Sequence, residues 1–261
     1  MKPVLSVLGL AAGLALGIAS AAQAETIKIG VTPGPHAQIL EAVKPIAAKK
    51  GLTIEIVEFS DYVVPNQALD SGDIQANSFQ HKPYLDNQKA DRGFKIDSVA
   101  ETVNFPLGVY STRYKSWKDV PEGSTIAIPN DPTNGGRALL LLQDNGALKL
   151  KDGVGLKPTV ADVAENPKKL KILEVDAAQA PRTLEDVAAA AINTNYATSA
   201  GIKPGDAILK ENPKGPYVNI IAVRTADKDK PWVKTLVEAY HTPEVKQFIE
   251  TTFKGSVIPS W

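Results

Sequence analysis

The 261-residue chain contains no cysteine, a single methionine at its start, three histidines and 6% aromatic residues. Without a thiol there can be no disulfide, no cysteine-ligated metal or iron–sulfur site, no thiol nucleophile and no lipid carried on a cysteine. The histidines stand apart at His36, His81 and His241, and none falls in an HExxH pattern, which excludes a zinc protease of that type. Charge of one sign is lacking too, with 29 Lys+Arg against 29 Asp+Glu. Phosphate backbones demand a basic surplus, so nucleic acid is not the partner. There is no GxSxG elbow, Walker loop or dinucleotide-binding fingerprint. Gly30-Val31-Thr32-Pro33-Gly34 lacks the final spacing, and Gly153-Val154-Gly155 follows no strand and reads as a turn. What is present is ordinary for a folded chain: 43% hydrophobic and 22% charged residues.

Val4 to Ala19 is an uncharged run of Val, Leu, Ile, Ala and Gly with one Ser, and it ends at Ala22-Gln23-Ala24. A weakly basic start, an apolar stretch and a small-x-small ending form a secretory signal, cut near Ala24-Glu25. The competing reading is a membrane anchor, for which the run is short and diluted with Gly and Ala. A lipoprotein needs a cysteine at the cut, and none is there. The expectation is a soluble periplasmic protein, with residues 1–24 as signal peptide.

Past the leader, strands and helices alternate. TIKIGV (26–31) and LTIEIVEF (52–59) read as β-branched strands flanking a helix over 37–50, with Pro45 expected to kink it. A short helix over 66–72, a strand over 74–79 and a helix over 81–91 follow. Residues 99–111 are extended around Pro106, which marks a bent crossing or an edge. Further strands fall at 125–129, 170–175, 188–193 and 218–224, with a helix opening at Arg137 and another helix starting over 181–187. One amphipathic helix is expected over 230–254. Alternation of this kind predicts an α/β protein with parallel sheets.

Four clusters follow strands or open helices: FSDYVVPN (59–66), DIQANSFQHKPYLD (73–86), PNDPTNGGR (129–137) and AINTNYA (191–197), with PYVN (216–219) beyond. Ligands of parallel sheets sit at the carboxyl ends of strands, so these clusters can converge. They are rich in amides, aromatics and one arginine, which hold ligands but shuttle protons poorly. No catalytic set, metal site or cofactor site emerges from them.

In this order, FSDYVVPNQAL, GDIQANSFQHKPYLD, PNDPTNGGRALLLLQ and AINTNYA resemble the methionine-binding lipoprotein family of the NlpA/MetQ type, over essentially the whole chain after the leader. The resemblance implies a type II periplasmic-binding-protein fold: two α/β lobes, a ligand cleft between them, and two chain crossings. Lobe 1 would hold residues 25–108 plus 223–261 and lobe 2 residues 109–222, with crossings near 104–111 and 219–225. The implied function is capture of methionine, L-methionine in the first instance, for a membrane ABC permease and its ATPase complex, by a monomer with no cofactor and no enzymatic step. The departure from the family is Ala24-Glu25 where members carry a lipidation cysteine.

The resemblance and the residue chemistry together nominate a site. Arg137 would grip the ligand carboxylate, since its planar fork matches two carboxylate oxygens; at a helix start it opposes the dipole and calls for a nearby anion. Asn193 and Asn219 would hold the zwitterionic end, accepting from the ammonium or donating to the carboxylate. Asn134 either orients that carboxylate or caps a helix. Asn195, two residues along the strand from Asn193, should face away. Tyr62, Phe79 and His81 would form the side-chain pocket, where sulfur against a ring gains about 0.3–1.5 kcal/mol; alternatives are core packing for Phe79 and a helix cap for His81. Tyr84 and Phe105 are second-tier candidates for the same pocket, with packing the favoured reading. Rival functions are the same fold with D-methionine, a methionine-containing dipeptide or another apolar amino acid, an extracytoplasmic enzyme with a titratable pair in the cleft, and an adhesion or interaction protein on this scaffold.

Overall fold

The computed structural model describes residues 25–261, and the expected signal peptide lies outside them. The chain first lays down Glu25–Val31 (β1), Pro35–Lys49 (α1), Leu52–Glu58 (β2), Val64–Ser71 (α2), Ala76–Asn77 (β3), Lys82–Arg92 (α3) and Ile96–Asn104 (β4). It then builds Gly108–Tyr110 (β5), Thr125–Pro129 (β6), Pro132–Asp144 (α4), Lys149–Leu150 (β7), Val163–Glu165 (β8), Lys171–Val175 (β9), Ala189–Ile192 (β10), Thr194–Ser199 (α5) and Leu209–Lys210 (β11). It returns with Val218–Arg224 (β12), Pro231–Tyr240 (α6), Pro243–Phe253 (α7) and Ile258–Pro259 (β13).

Two sheets result, ordered β13-β4-β12-β3-β1-β2 and β11-β5-β10-β6-β9, with β7-β8 as a small ribbon. In the first, β1 runs parallel to β2 and β3, and its alternating Ile27, Ile29 and Val31 are buried. They pack with Ile39, Leu40 and Val43 of α1 and with Trp232, Leu236, Tyr240 and Ile249 of the last two helices. Each such aliphatic side chain contributes roughly 1.5–3 kcal/mol by leaving water. In the second sheet β6 is parallel to β9 and β10, and Ile126 and Ile128 meet Leu139 and Leu142 of α4. The all-apolar β10 is buried throughout, as a strand covered on both faces requires.

Several expectations are corrected. Neither large sheet is purely parallel, because β12 is antiparallel to β3 and β4, and β5 to β10 and β11. The second crossing falls between Lys210 and Val218, not at 219–225. All of β12 lies in the first sheet and Gly108 already belongs to the second, so the assignments of 218–222 to lobe 2 and of 108 to lobe 1 do not match sheet membership. The apolar run of β12 needs a central position, and it finds one between β4 and β3. The C-terminal helix is two helices: Thr242 caps the second through Val245 N–H and Pro243 is its first residue, the chemistry of a helix start. Helix α1 continues through Pro45, which lies on its exposed side. The strand expected over 74–79 shrinks to Ala76–Asn77, and the segment over 181–187 is a 3-10 turn, Ala180–Glu185. Arg137 lies in the second turn of α4, beyond its start at Pro132, so the dipole argument for its partner does not apply.

Candidate ligand-binding site

Where strand ends of the two sheets face each other they line a narrow, partly open cavity, the kind of cleft between two layers in which small molecules bind. All seven nominated residues line it: Tyr62, Phe79, His81, Asn134, Arg137, Asn193 and Asn219. Five more join them: His36, Gln80, Tyr84, Phe105 and Asn195.

The first-sheet wall comes from turns after β1, β2 and β3 and from β12. His36 opens α1; its Nδ1 meets Thr32 Oγ1 at 2.8 Å and its Nε2 meets Asn219 Oδ1 at 3.3 Å. His81 is the N-cap of α3, with Nδ1 accepting from Tyr84 N–H at 3.1 Å. That bond sets the tautomer, so Nε2 carries the proton and donates to Asn134 Oδ1 at 3.2 Å. The two readings of His81, cap and cavity wall, are therefore both realised, one on each ring nitrogen. Behind the wall Asn66, Asn77 and Gln80 close a buried amide ring. Asn66 Nδ2 donates to Gln80 Oε1 (2.8 Å), and Gln80 Nε2 donates to Asn66 Oδ1 (2.6 Å) and Asn77 Oδ1 (2.9 Å). Buried amides held on several sides in this way fix the backbone that carries Phe79 and His81.

The second-sheet wall is built on two helix starts. Asp131 caps α4 through the N–H groups of Thr133 and Asn134, so the cap role considered for Asn134 belongs to Asp131. Asn134 is held instead by its side chain: Nδ2 donates to Asp131 Oδ2 (2.9 Å) and Oδ1 accepts from Asn193 Nδ2 (2.8 Å) and from His81. Asn193 stands at the N-cap position of α5 but makes no capping bond, and its Oδ1 is buried without a partner among the described residues. Arg137 is 2% exposed. Its Nε and Nη2 meet both oxygens of Glu211 (2.8 and 2.5 Å), Nη2 also donates to Phe105 O (2.8 Å), and the guanidinium lies 4.2 Å from the Tyr217 ring centroid. Nη1 alone has no partner among the described residues.

Asn195 is a correction. The strand ends at Ile192 and α5 begins at Thr194, so the period of two breaks between the two asparagines and both side chains reach the cavity. Tyr62 Oη donates to Asn195 Oδ1 (2.6 Å), and Asn195 Nδ2 donates to Thr32 Oγ1 (3.2 Å). Tyr62 rests 4.8 Å from Tyr196 and 5.8 Å from Phe79, centroid to centroid, and Tyr84 completes this aromatic slot at 6.0 Å from Tyr62. Phe105, from the crossing between the sheets, lies 4.6 Å from His36. The lobes thus touch through Tyr62–Asn195, Asn195–Thr32, His81–Asn134 and, at the rim, Lys157 Nζ to Asn87 Oδ1 (2.9 Å).

Burial dominates the electrostatics. It lowers the His36 pKa to about 4 against a small opposing effect from Asn219. It lowers that of His81 to about 3, with the Arg137 charge acting in the same direction. Both imidazoles are neutral at physiological pH, and Arg137 is the one charged residue lining the cavity. Among the described residues no cluster of three or more acidic or histidine side chains is placed to hold a metal ion, and no helix is long and apolar enough to cross a membrane.

The sequence model of the NlpA lipoprotein family matches residues 27–261. The chain is 50% identical to the D-methionine-binding lipoprotein MetQ of Escherichia coli strain K12 over 239 residues, covering 90% of this chain and 88% of that one. It superposes with a TM-score of 0.88 on a nutrient binding protein from Burkholderia cenocepacia bound to methionine, at 56% identity, covering 90% of this chain and all of the other. An ABC transporter periplasmic substrate-binding protein from Coxiella burnetii matches with a TM-score of 0.87 and 45% identity over 90% of this chain and 100% of that one.

Proposed function

The chain belongs to the NlpA lipoprotein family, and from that premise we propose that it captures methionine in the interlobe cavity, outside the cytoplasm, and delivers it to a membrane ABC permease and its ATPase complex. The observation that carries this reading is the pattern of what the cavity leaves without a partner among the described residues: a buried amide oxygen, Asn193 Oδ1, and two donors, Arg137 Nη1 and Asn219 Nδ2, beside an aromatic slot. An ammonium fits the oxygen and a carboxylate the donors, and an apolar thioether tail fits Tyr62, Phe79 and Tyr84. Asn219 supports the zwitterionic end from β12, and Asn134 orients Asn193 and His81 toward the ligand. Both walls contribute, so the ligand bridges the lobes and holds the hinge shut. The relatives named for methionine point to the same chemistry.

Binding without turnover is supported by the state of the titratable groups. The imidazoles bond to amides, hydroxyls and a backbone N–H with no carboxylate behind them, and the one hydroxyl in contact with an imidazole, Thr32, is fully buried and also accepts from Asn195. Such an arrangement holds a ligand and leaves no base free to activate a nucleophile. We place the protein in the periplasm as a monomer. The E. coli relative is named a lipoprotein, whereas this sequence has no cysteine to carry the lipid; mass spectrometry of the mature protein tests that difference.

Calorimetry of ligand-stripped protein with L- and with D-methionine tests the assignment and reads the stereochemical preference directly. No heat and no thermal shift with either enantiomer removes it. Arg137→Ala should weaken binding roughly 10- to 150-fold, the worth of a charged hydrogen bond, and unchanged affinity removes its role.

A further inference from the structure

The ion pair behind the cavity carries an inference about selectivity. Glu211 stands at the end of β11 and does not line the cavity, yet its two oxygens take Nε and Nη2 of Arg137, and Oε2 also accepts Leu107 N–H at 3.0 Å. The Glu211 N–H in turn donates to Leu107 O at 2.9 Å. The side chains of the pair are 2% and 11% exposed. The other carboxylate nearby, Asp131, caps α4, is tied to Thr133 and Asn134, and does not touch Arg137; its charge acts on the aromatic side, at Tyr62 and Tyr84.

We propose that Glu211 is a specificity-determining positioning residue: by offsetting much of the Arg137 charge it weakens the positive field in the cavity, so that the site selects a net-neutral zwitterion over anions of the same shape. The inference rests on the reading that Arg137 meets the ligand carboxylate. A lone buried arginine would favour any carboxylate and would repel an ammonium brought in beside it. With Glu211 in place the arginine can still donate from Nη1, but the field it exerts on the rest of the ligand is offset. The ammonium then needs no acidic partner, and the cavity offers it none, only the neutral Asn193 Oδ1. Glu211 also keeps Nε and Nη2 occupied, which turns Nη1 into the single donor edge that Arg137 presents to the ligand.

The test compares three probes that share the thioether tail: methionine, the deaminated anion 4-(methylthio)butanoate and the cation methioninamide. In the unmodified protein methionine should bind at least 100-fold tighter than either charged analogue. Glu211→Gln should shift the ratio of affinities by roughly tenfold or more toward the anion, the effect of removing a unit charge about 10 Å away at an effective dielectric of about 20. Glu211→Asp, which keeps the charge, should preserve the selectivity for methionine. A ratio unchanged in Glu211→Gln, with both affinities falling together, overturns the proposal and leaves Glu211 a purely structural role. If Glu211→Gln does not fold, the unmodified protein still decides, because an anion bound as tightly as methionine also overturns it. Absence of binding by all three probes refutes the methionine assignment itself, a different outcome from a failure of selectivity.

Discussion

Acidification should open the cleft through His81. In the closed molecule this imidazole is buried between the lobes, with Asn134 on Nε2, Tyr84 N–H on Nδ1, the Tyr217 ring beside it and the Arg137 charge nearby, and its pKa falls to about 3. Parting the lobes removes Asn134 and Arg137 and returns the ring to water, where an imidazole titrates near 6.5. The sign follows from the lowered value: the open state binds a proton that the closed state excludes. Closure is therefore undisturbed above about pH 6.5 and weakens as pH falls from there toward 3. At about pH 5 the open form is favoured by at most about 30-fold relative to about pH 8, close to 2 kcal/mol, an upper bound because protonating Nδ1 also breaks its bond to Tyr84 N–H. His36 behaves differently. Its bonding partners Thr32 and Asn219 belong to the first sheet and stay with it when the lobes part, so its shift, to about 4, weakens folding over the window from 6.5 down to 4 and weakens closure only as far as opening the cavity wets the ring. Calorimetric titration of methionine between about pH 8 and 5 reads the first effect, and thermal unfolding of ligand-free protein reads the second. His81→Asn, which can still cap α3, should bind more weakly but lose most of the pH dependence. A dissociation constant that changes less than threefold across the range, or an undiminished slope in the variant, refutes the reasoning.

Two further outcomes follow from the contacts across the cleft. Tyr62→Phe keeps the ring in the slot but leaves Asn195 Oδ1 unpaired only when the lobes are closed; an unsatisfied buried acceptor costs about 1–3 kcal/mol, so affinity should drop about 5- to 150-fold with little loss of thermal stability, and an unchanged dissociation constant would show that the hydroxyl does not clasp the lobes. Gly34 has a φ of 81°, and a Cβ there would collide with Ser199 Oγ of the opposite lobe. Gly34→Ala should therefore cost about 1–3 kcal/mol of stability from the backbone, with at most a small loss of affinity, because the Ser199 hydroxyl can turn away at the expense of its bond to Pro33 O; unchanged thermal stability would refute the backbone argument.

The first β-α-β unit was legible because its physics is local. Ile27, Ile29 and Val31 alternate, and Ile39, Leu40 and Val43 repeat at helical spacing, so burial could be read residue by residue. The seven nominated residues converge because strand ends in such sheets converge, and because the family resemblance chose among many polar candidates. His36 was passed over as part of a loop, although Pro35 just before it is a helix-start signal and it is the second residue of α1. Asn195 turns the wrong way only if the strand is carried three residues past Ile192, whereas Asn193 followed by Thr194 already has the composition of a helix start. The break at Thr242-Pro243 was readable from the same capping chemistry. The Asn66–Asn77–Gln80 ring and the Arg137–Glu211 pair were not readable. The latter partners lie 74 positions apart on different elements, and nothing local in either sequence segment marks the other.

The polar wall has a direction, and that direction explains why so few groups remain for a ligand. Tyr62 donates to Asn195, Asn195 to Thr32, Thr32 to His36 Nδ1, and His36 Nε2 to Asn219, a chain that starts on one lobe, crosses to the other and comes back. A second chain runs from Tyr84 N–H into His81, from His81 to Asn134 and from Asn193 to the same Asn134 oxygen. Each amide is held in one orientation because flipping it would set donor against donor in a buried site. The groups left over, Arg137 Nη1, Asn219 Nδ2 and Asn193 Oδ1, are therefore fixed in both identity and direction. A ligand missing one complementary group leaves its partner unpaired at a cost of about 1–3 kcal/mol, comparable with one methylene in an apolar slot, and a ligand missing both the carboxylate and the ammonium incurs that cost twice, which exceeds what the slot achieves over a single methylene. Selection in this cavity accordingly rests on the amino-acid head, while the aromatic slot sets the preferred length and polarity of the tail.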